Sequence, residues 1–126
     1  KTHIGQCEAL AGLLGPMFRP HAYVDAPGFH FVDNTSALTG FIKGVSPKED
    51  TSPIVAVYKL KTAALRAAVW HEFVESGANL SDGISRDGLQ DQLCLDLGCD
   101  VEHVQLQLPY PLVSAPLHVL MQSFML

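Results

Sequence analysis

Apolar positions at Ile4, Cys7, Leu10, Ala11, Leu14 and Met17 follow helical spacing, so "HIGQCEALAGLLGPMF" predicts a first helix. The Gly15-Pro16 pair weakens its final turn. "RPHAYVDAPG" reads as a loop from its Pro and Gly content, and "FHFVD" (29–33) alternates like a short strand that ends on an acid. "NTSALTGFIKG" predicts a second helix, with Thr35 or Ser36 as N-cap and Gly44 as its stop. After the polar linker "VSPKED", "TSPIVAVYKLKTAALRAA" has a Thr or Ser cap and Pro53 at the first helical position. That pattern favours a third helix, although the β-branched "IVAVY" leaves a strand open. "AVWHEFVE" is a clearer strand, with Val69, His71 and Phe73 on one side and Trp70, Glu72 and Val74 on the other. "SGAN" turns, Ser81 or Asp82 opens a helix to about Leu97, and Gly98 stops it. The remainder alternates in "VEHVQLQL", passes three prolines and ends in the helix-like apolar piece "LHVLMQSFML".

The predicted order is helix, strand, helix, helix, strand, helix and a tail. Strands that alternate with helices indicate an α/β fold. Two strands are too few for a stable sheet, so either the tail supplies another or strands preceding Lys1 are required. No internal repeat or low-complexity segment interrupts the pattern.

At 126 residues the chain suits one domain. Apolar residues make up 48% and charged residues 17%, which predicts a surface covered by partners or cut from a larger polypeptide. The net charge of −5, with eight Lys and Arg spread along the chain, argues against a free-standing nucleic-acid binder with its own basic patch. Cys7, Cys94 and Cys99 form no CxxC pair, so buried thiols in a reducing intracellular compartment are expected. No apolar run approaches the ~18 residues of a membrane helix. "KTHIGQ" has neither an initiator Met nor a signal-peptide pattern, which predicts processing, engineering or a fragment.

Three acids stand out by position. Glu8 lies in the first helix on a face of Ala and Leu, Asp33 ends "FHFVD", and Asp82 opens the helix after "SGANLS". Carboxylates at a strand end and on helices facing it can converge at one edge of a sheet. Such a cluster binds hard divalent cations, and a pair of ions can drive in-line phosphoryl displacement. Ordinary explanations compete: an acid at a helix N-terminus complements the dipole, and Asp33 can serve a turn or cap. His71 alternates with core positions and reads as a packed histidine. His3, His30, His103 and His118 have no metal-ligand spacing. A small-molecule enzyme lacks support, since no nucleophile and base fall in a recognised pattern.

"QCEALAGLL", "FVDNTSALTGFIKG" and "WHEFVESGANLSDGISR" resemble, in order and spacing, the ribonuclease H domain of retroelement reverse transcriptase polyproteins. In that family a helix carries "EaxA", a strand ends in "vDNxxAl…ikG", and a late strand leads into "VpSxxNxADgxSR". The three blocks span roughly residues 3–88, and the segment after them resembles the extension that follows the domain in some retroelement polyproteins. The resemblance implies a partial ribonuclease H-like fold, a mixed sheet with flanking helices, over residues 1–97. Residues 98–126 would form a C-terminal extension, read either as core or as a docking segment.

The resemblance also implies that Glu8, Asp33 and Asp82 are three of four carboxylates holding two Mg²⁺ ions. Those ions would hydrolyse the RNA strand of an RNA–DNA hybrid and leave a 3′-hydroxyl. Asn34, Asn79, Ser85 and Arg86 would support the motifs, with Asn79 shaping the turn and Arg86 free for a phosphate or a surface acid. The family's first strand, which carries the aspartate shared by both metals, would precede Lys1, and no histidine stands in the loop before Asp82. The chain alone is therefore expected to be inactive or nearly so. It is either an enzyme-derived fragment completed by upstream polypeptide or a pseudoenzyme, a structural subunit of a larger protein complex.

Overall fold

A computed structural model describes residues 4–100 and residue 105, and all statements of absence below concern these residues. The first helix, α1 (Ile4–Phe18), is followed by β1 (Pro27–Val32), α2 (Thr35–Lys43) and α3 (Ser52–Ala64). Then come β2 (Ala68–Phe73), α4 (Leu80–Asp87) and α5 (Gln92–Asp96), with single 3₁₀ turns after α1, β2 and α4. The α/β order matches the sequence pattern. Among the described residues the sheet has two strands, β1 and β2, paired in parallel from Pro27 opposite Ala68 to Val32 opposite Phe73.

The core forms where three helices meet one face of this sheet. Ala9 and Leu13 of α1, Ala37 and Phe41 of α2, and Ile54, Val55, Val57 and Tyr58 of α3 enclose Val32. This packing settles "IVAVY" as helix, because those four α3 residues reach the core only at helical spacing. Pro53 sits one position later than expected, in the second residue of the helix. The opposite face of the sheet carries Phe29, Phe31 and Trp70, which are 73%, 56% and 63% exposed, so no described residue covers it.

Local chemistry moves several boundaries. Asn34, not Thr35 or Ser36, caps α2: its side-chain oxygen accepts the Ala37 N–H at 2.9 Å. Gly44 stops α2 in a left-handed conformation, as expected. Asp33 lies one residue beyond β1 rather than inside it. The single helix expected up to Leu97 is two helices, broken at Gly88, whose φ of 59° and ψ of −134° suit glycine alone. The buried Asp91 then restarts the chain as α5 by accepting the Cys94 N–H at 3.0 Å. All three cysteines are free thiols, but only Cys94 is buried; Cys7 and Cys99 are exposed, contrary to expectation. No described helix is long and apolar enough to cross a membrane. The 98–126 extension lies outside the described residues after Asp100, Gln105 excepted.

Gly12 sets how closely α1 approaches the sheet. A Cβ there would stand 2.5 Å from Cζ of the fully buried Phe41 and 2.8 Å from Cε1 of His30. Gly12→Ala is therefore expected to cost about 2 kcal/mol, since the overlap outweighs the ~1 kcal/mol that alanine gains in helix propensity. A lower urea midpoint with an unchanged m-value would report it; a higher midpoint would show that the helix simply shifts outward.

Candidate functional site

The chain brings its three singled-out acids toward one end of the sheet, from three separate elements. Glu8 projects from the second turn of α1, Asp33 follows β1, and Asp82 lies in the first turn of α4. Each is half-buried. Burial pushes the Glu8 carboxyl above its usual range, and the negative charges of Asp33 and Asp82 raise it further. Asp33 and Asp82 thus both stand within electrostatic reach of Glu8.

Asn79 joins two of these elements. Its amide Nδ2 donates to Asp33 Oδ2 at 3.0 Å, while its Oδ1 accepts from the Ser81 N–H at 3.1 Å and the Ser81 hydroxyl at 2.8 Å. Asn79 is thus the N-cap of α4, the position expected for Ser81 or Asp82, and it also orients the Asp33 carboxylate. The ribonuclease H resemblance implies only the turn for it. The Arg86 guanidinium lies 4.0 Å from Asp82 Oδ2, so it faces one of the candidate ligands themselves. Ser85 donates to the Asp82 carbonyl at 2.7 Å and braces the first turn of α4. Asn34 is occupied with capping α2.

A cleft of about 380 Å³ opens between α1 and β1, lined by Glu8, Gly12, His30, Val32, Asn79 and Ser81 among others. Asp82 lines the neighbouring depression of about 230 Å³ with Arg86 and Asp91. Three oxygen donors of this kind suit Mg²⁺ or Mn²⁺ chemically. Their placement is less complete: among the described residues, no three His, Cys, Asp or Glu side chains come together to hold one ion.

One cluster escaped the sequence pattern. His30 and His71 stand opposite each other in the β1–β2 register, with their Nδ1 atoms 3.2 Å apart. One ring must donate and the other accept. Phe41 meets His30 edge-on at 4.9 Å and stacks on His71 at 5.4 Å, and Tyr58 closes the group with ring centroids 4.7 Å from Phe41. Burial, His30 and Lys59, in that order, hold His71 down at about 4, and burial also lowers His30. His71 is the packed histidine that alternation implied. His30, which has no metal-ligand spacing in the sequence, is the residue it packs against, and the matching inward positions in "FHF" and "WHE" are the signal for that contact. No family model, curated protein or solved structure matches the chain.

Proposed function

We propose that the chain is a ribonuclease H-like fragment derived from a retroelement polyprotein, catalytically incomplete on its own. The observation that supports this reading is the placement of Glu8 on α1, Asp33 just after β1 and Asp82 in the first turn of α4, with the Asn79 cap of α4 hydrogen-bonded to Asp33. In the ancestral reaction two Mg²⁺ ions would supply an activated water and stabilise the leaving oxygen during hydrolysis of RNA in an RNA–DNA hybrid. This chain would contribute oxygen ligands through Glu8, Asp33 and Asp82, and Asn79 would fix the Asp33 carboxylate. The ribonuclease H resemblance calls for a fourth carboxylate beside these three, and among the described residues no fourth acid lines the cleft of Glu8.

A second reading has its own support. The net charge of −5, the exposed Phe29, Phe31 and Trp70, and the lack of any three ligands around one point favour a non-catalytic structural subunit of a larger assembly. Manganese distinguishes the two. If the acids retain metal affinity, Mn²⁺ at ten times its Kd adds ~1.4 kcal/mol, which raises Tm by about 5 °C, and Asp33→Asn abolishes the rise. A Tm that does not respond to Mn²⁺ removes the first reading and leaves the second.

A further inference from the structure

We infer that Cys94 and Cys99 form a reversible disulfide that clamps the C-terminal turn of α5 when the chain meets a small organic disulfide. The proposal goes beyond both functional readings and depends on neither. α5 ends in a turn closed by two backbone bonds. The Gly98 N–H donates to the Leu95 carbonyl at 3.2 Å, and the Cys99 N–H donates to the Cys94 carbonyl at 2.9 Å. Gly98, at a φ of 68°, supplies the left-handed residue that this turn requires. In such a turn the residues at the two ends of the longer loop bring their side chains together, and an apolar pair commonly fills those places. Here both places are cysteine.

A bond of 2.9 Å from the N–H of one residue to the carbonyl of the other holds their Cα atoms within roughly 6.8 Å, the outer limit that a disulfide spans. The thiols also sense each other: burial, Asp91 and Cys99, in that order, push the Cys94 thiol up to about 11. The two sulfurs differ in access. Cys99 is exposed among the described residues, whereas Cys94 is only 4% exposed. Asp91, itself buried, accepts the Cys94 N–H at 3.0 Å and favours the protonated thiol. Cys7, on α1, lies outside this turn.

The difference in access assigns the order of events. The Cys99 thiolate attacks one sulfur of the small disulfide and expels the first small thiolate, which takes up the proton that Cys99 lost. Cys99 is then a mixed disulfide. Cys94 next gives up its proton, its sulfur attacks the Cys99 sulfur, and the second small thiolate leaves and takes that proton. Two protein thiols and one small disulfide thus become one protein disulfide and two small thiols. The new bond ties Cys99 back onto the helix, so the turn at Leu97 and Gly98 no longer opens while the disulfide lasts.

The test treats the full chain with oxidised glutathione at mildly alkaline pH and maps the products by mass spectrometry without reduction. No Lys or Arg follows Arg86, so trypsin releases Cys94 and Cys99 in one peptide and Cys7 in another. The first peptide should lose the mass of two hydrogens and carry no glutathione. Cys94→Ala should trap glutathione on Cys99. Cys99→Ser should leave Cys94 reacting at least about tenfold more slowly than that trapped Cys99. If Cys94→Ala loses its circular dichroism, the native map and the Cys99→Ser rate, compared with exposed Cys7, decide the matter. Oxidation should slow hydrogen exchange of the Gly98 and Cys99 amides at least about fivefold, and dithiothreitol should restore the original rates. Glutathione that persists on Cys99 of the native chain overturns the inference. So does a disulfide to Cys7 or between two chains, a Cys94 that reacts as fast as the exposed thiols, or unchanged exchange at both amides after oxidation.

Discussion

Replacing Phe41 by alanine is expected to cost about 4 kcal/mol and to leave much of the chain unfolded at room temperature. Phe41 is fully buried and touches the rings of His30, Tyr58 and His71, so its removal opens a cavity bounded by α2, α3 and both strands. Rigid aromatic neighbours limit how far that cavity can collapse, which places the loss toward the upper part of the usual range. Small domains hold only ~5–15 kcal/mol in total, and one whose sheet face is uncovered belongs near the lower end. Urea denaturation followed by circular dichroism measures the effect. A midpoint lowered by about 2 M or more is expected; a shift under about 0.5 M would mean that Phe41 is not the centre of the core.

Acid is the second strong perturbation. His71 titrates at about 4 in the folded chain against an ordinary value of 6.5, because burial, His30 and Lys59 all disfavour its charged form. The unfolded chain therefore binds the proton more readily throughout that interval, and stability falls as pH falls. The contribution is fully present above 6.5 and is lost progressively down to about 4. Between pH 7 and pH 5 this amounts to about 1–2 kcal/mol. Proton count adds a geometric limit: one extra proton can sit on a far Nε2 and leave the Nδ1 contact intact, but a second sets two N–H groups against each other. Glu8 works in the opposite direction, since a carboxyl raised above 4.5 binds its proton more tightly when folded and adds stability as pH falls through its own range. Urea midpoints measured from pH 7.5 to 4.5 should fall for the native chain. The slope should flatten in His71→Phe and steepen at the acid end in Glu8→Gln; a flat native profile would contradict the pairing.

Element order and type were legible because the relevant signals are local. Periodicity placed α1, α2 and β2, and Gly44 stopped α2 where a left-handed residue was needed. "IVAVY" was ambiguous because β-branched residues suit either state; packing of Ile54, Val55, Val57 and Tyr58 decided it. The break at Gly88 was hidden because a glycine's cost of ~1 kcal/mol inside a helical pattern does not by itself end a helix, and the Asp91 cap that restarts the chain depends on its burial. At the site, Glu8, Asp33 and Asp82 could be named from their positions in the predicted elements. The link from Asn79 to Asp33 could not, because it joins side chains 46 residues apart. The same limit concealed the His30–His71 contact.

That separation between partners also bears on how the molecule reaches its native state. Every register pair in the sheet joins residues 41 positions apart, as His30 and His71 do. Closing so long a loop costs entropy before any ladder hydrogen bond repays it. The sheet is thus expected to form late, once α2 and α3 have shortened the intervening chain. Until then both strands, rich in Phe and Trp, are exposed to encounters with other molecules, and the speed of helix docking governs how long that exposure lasts.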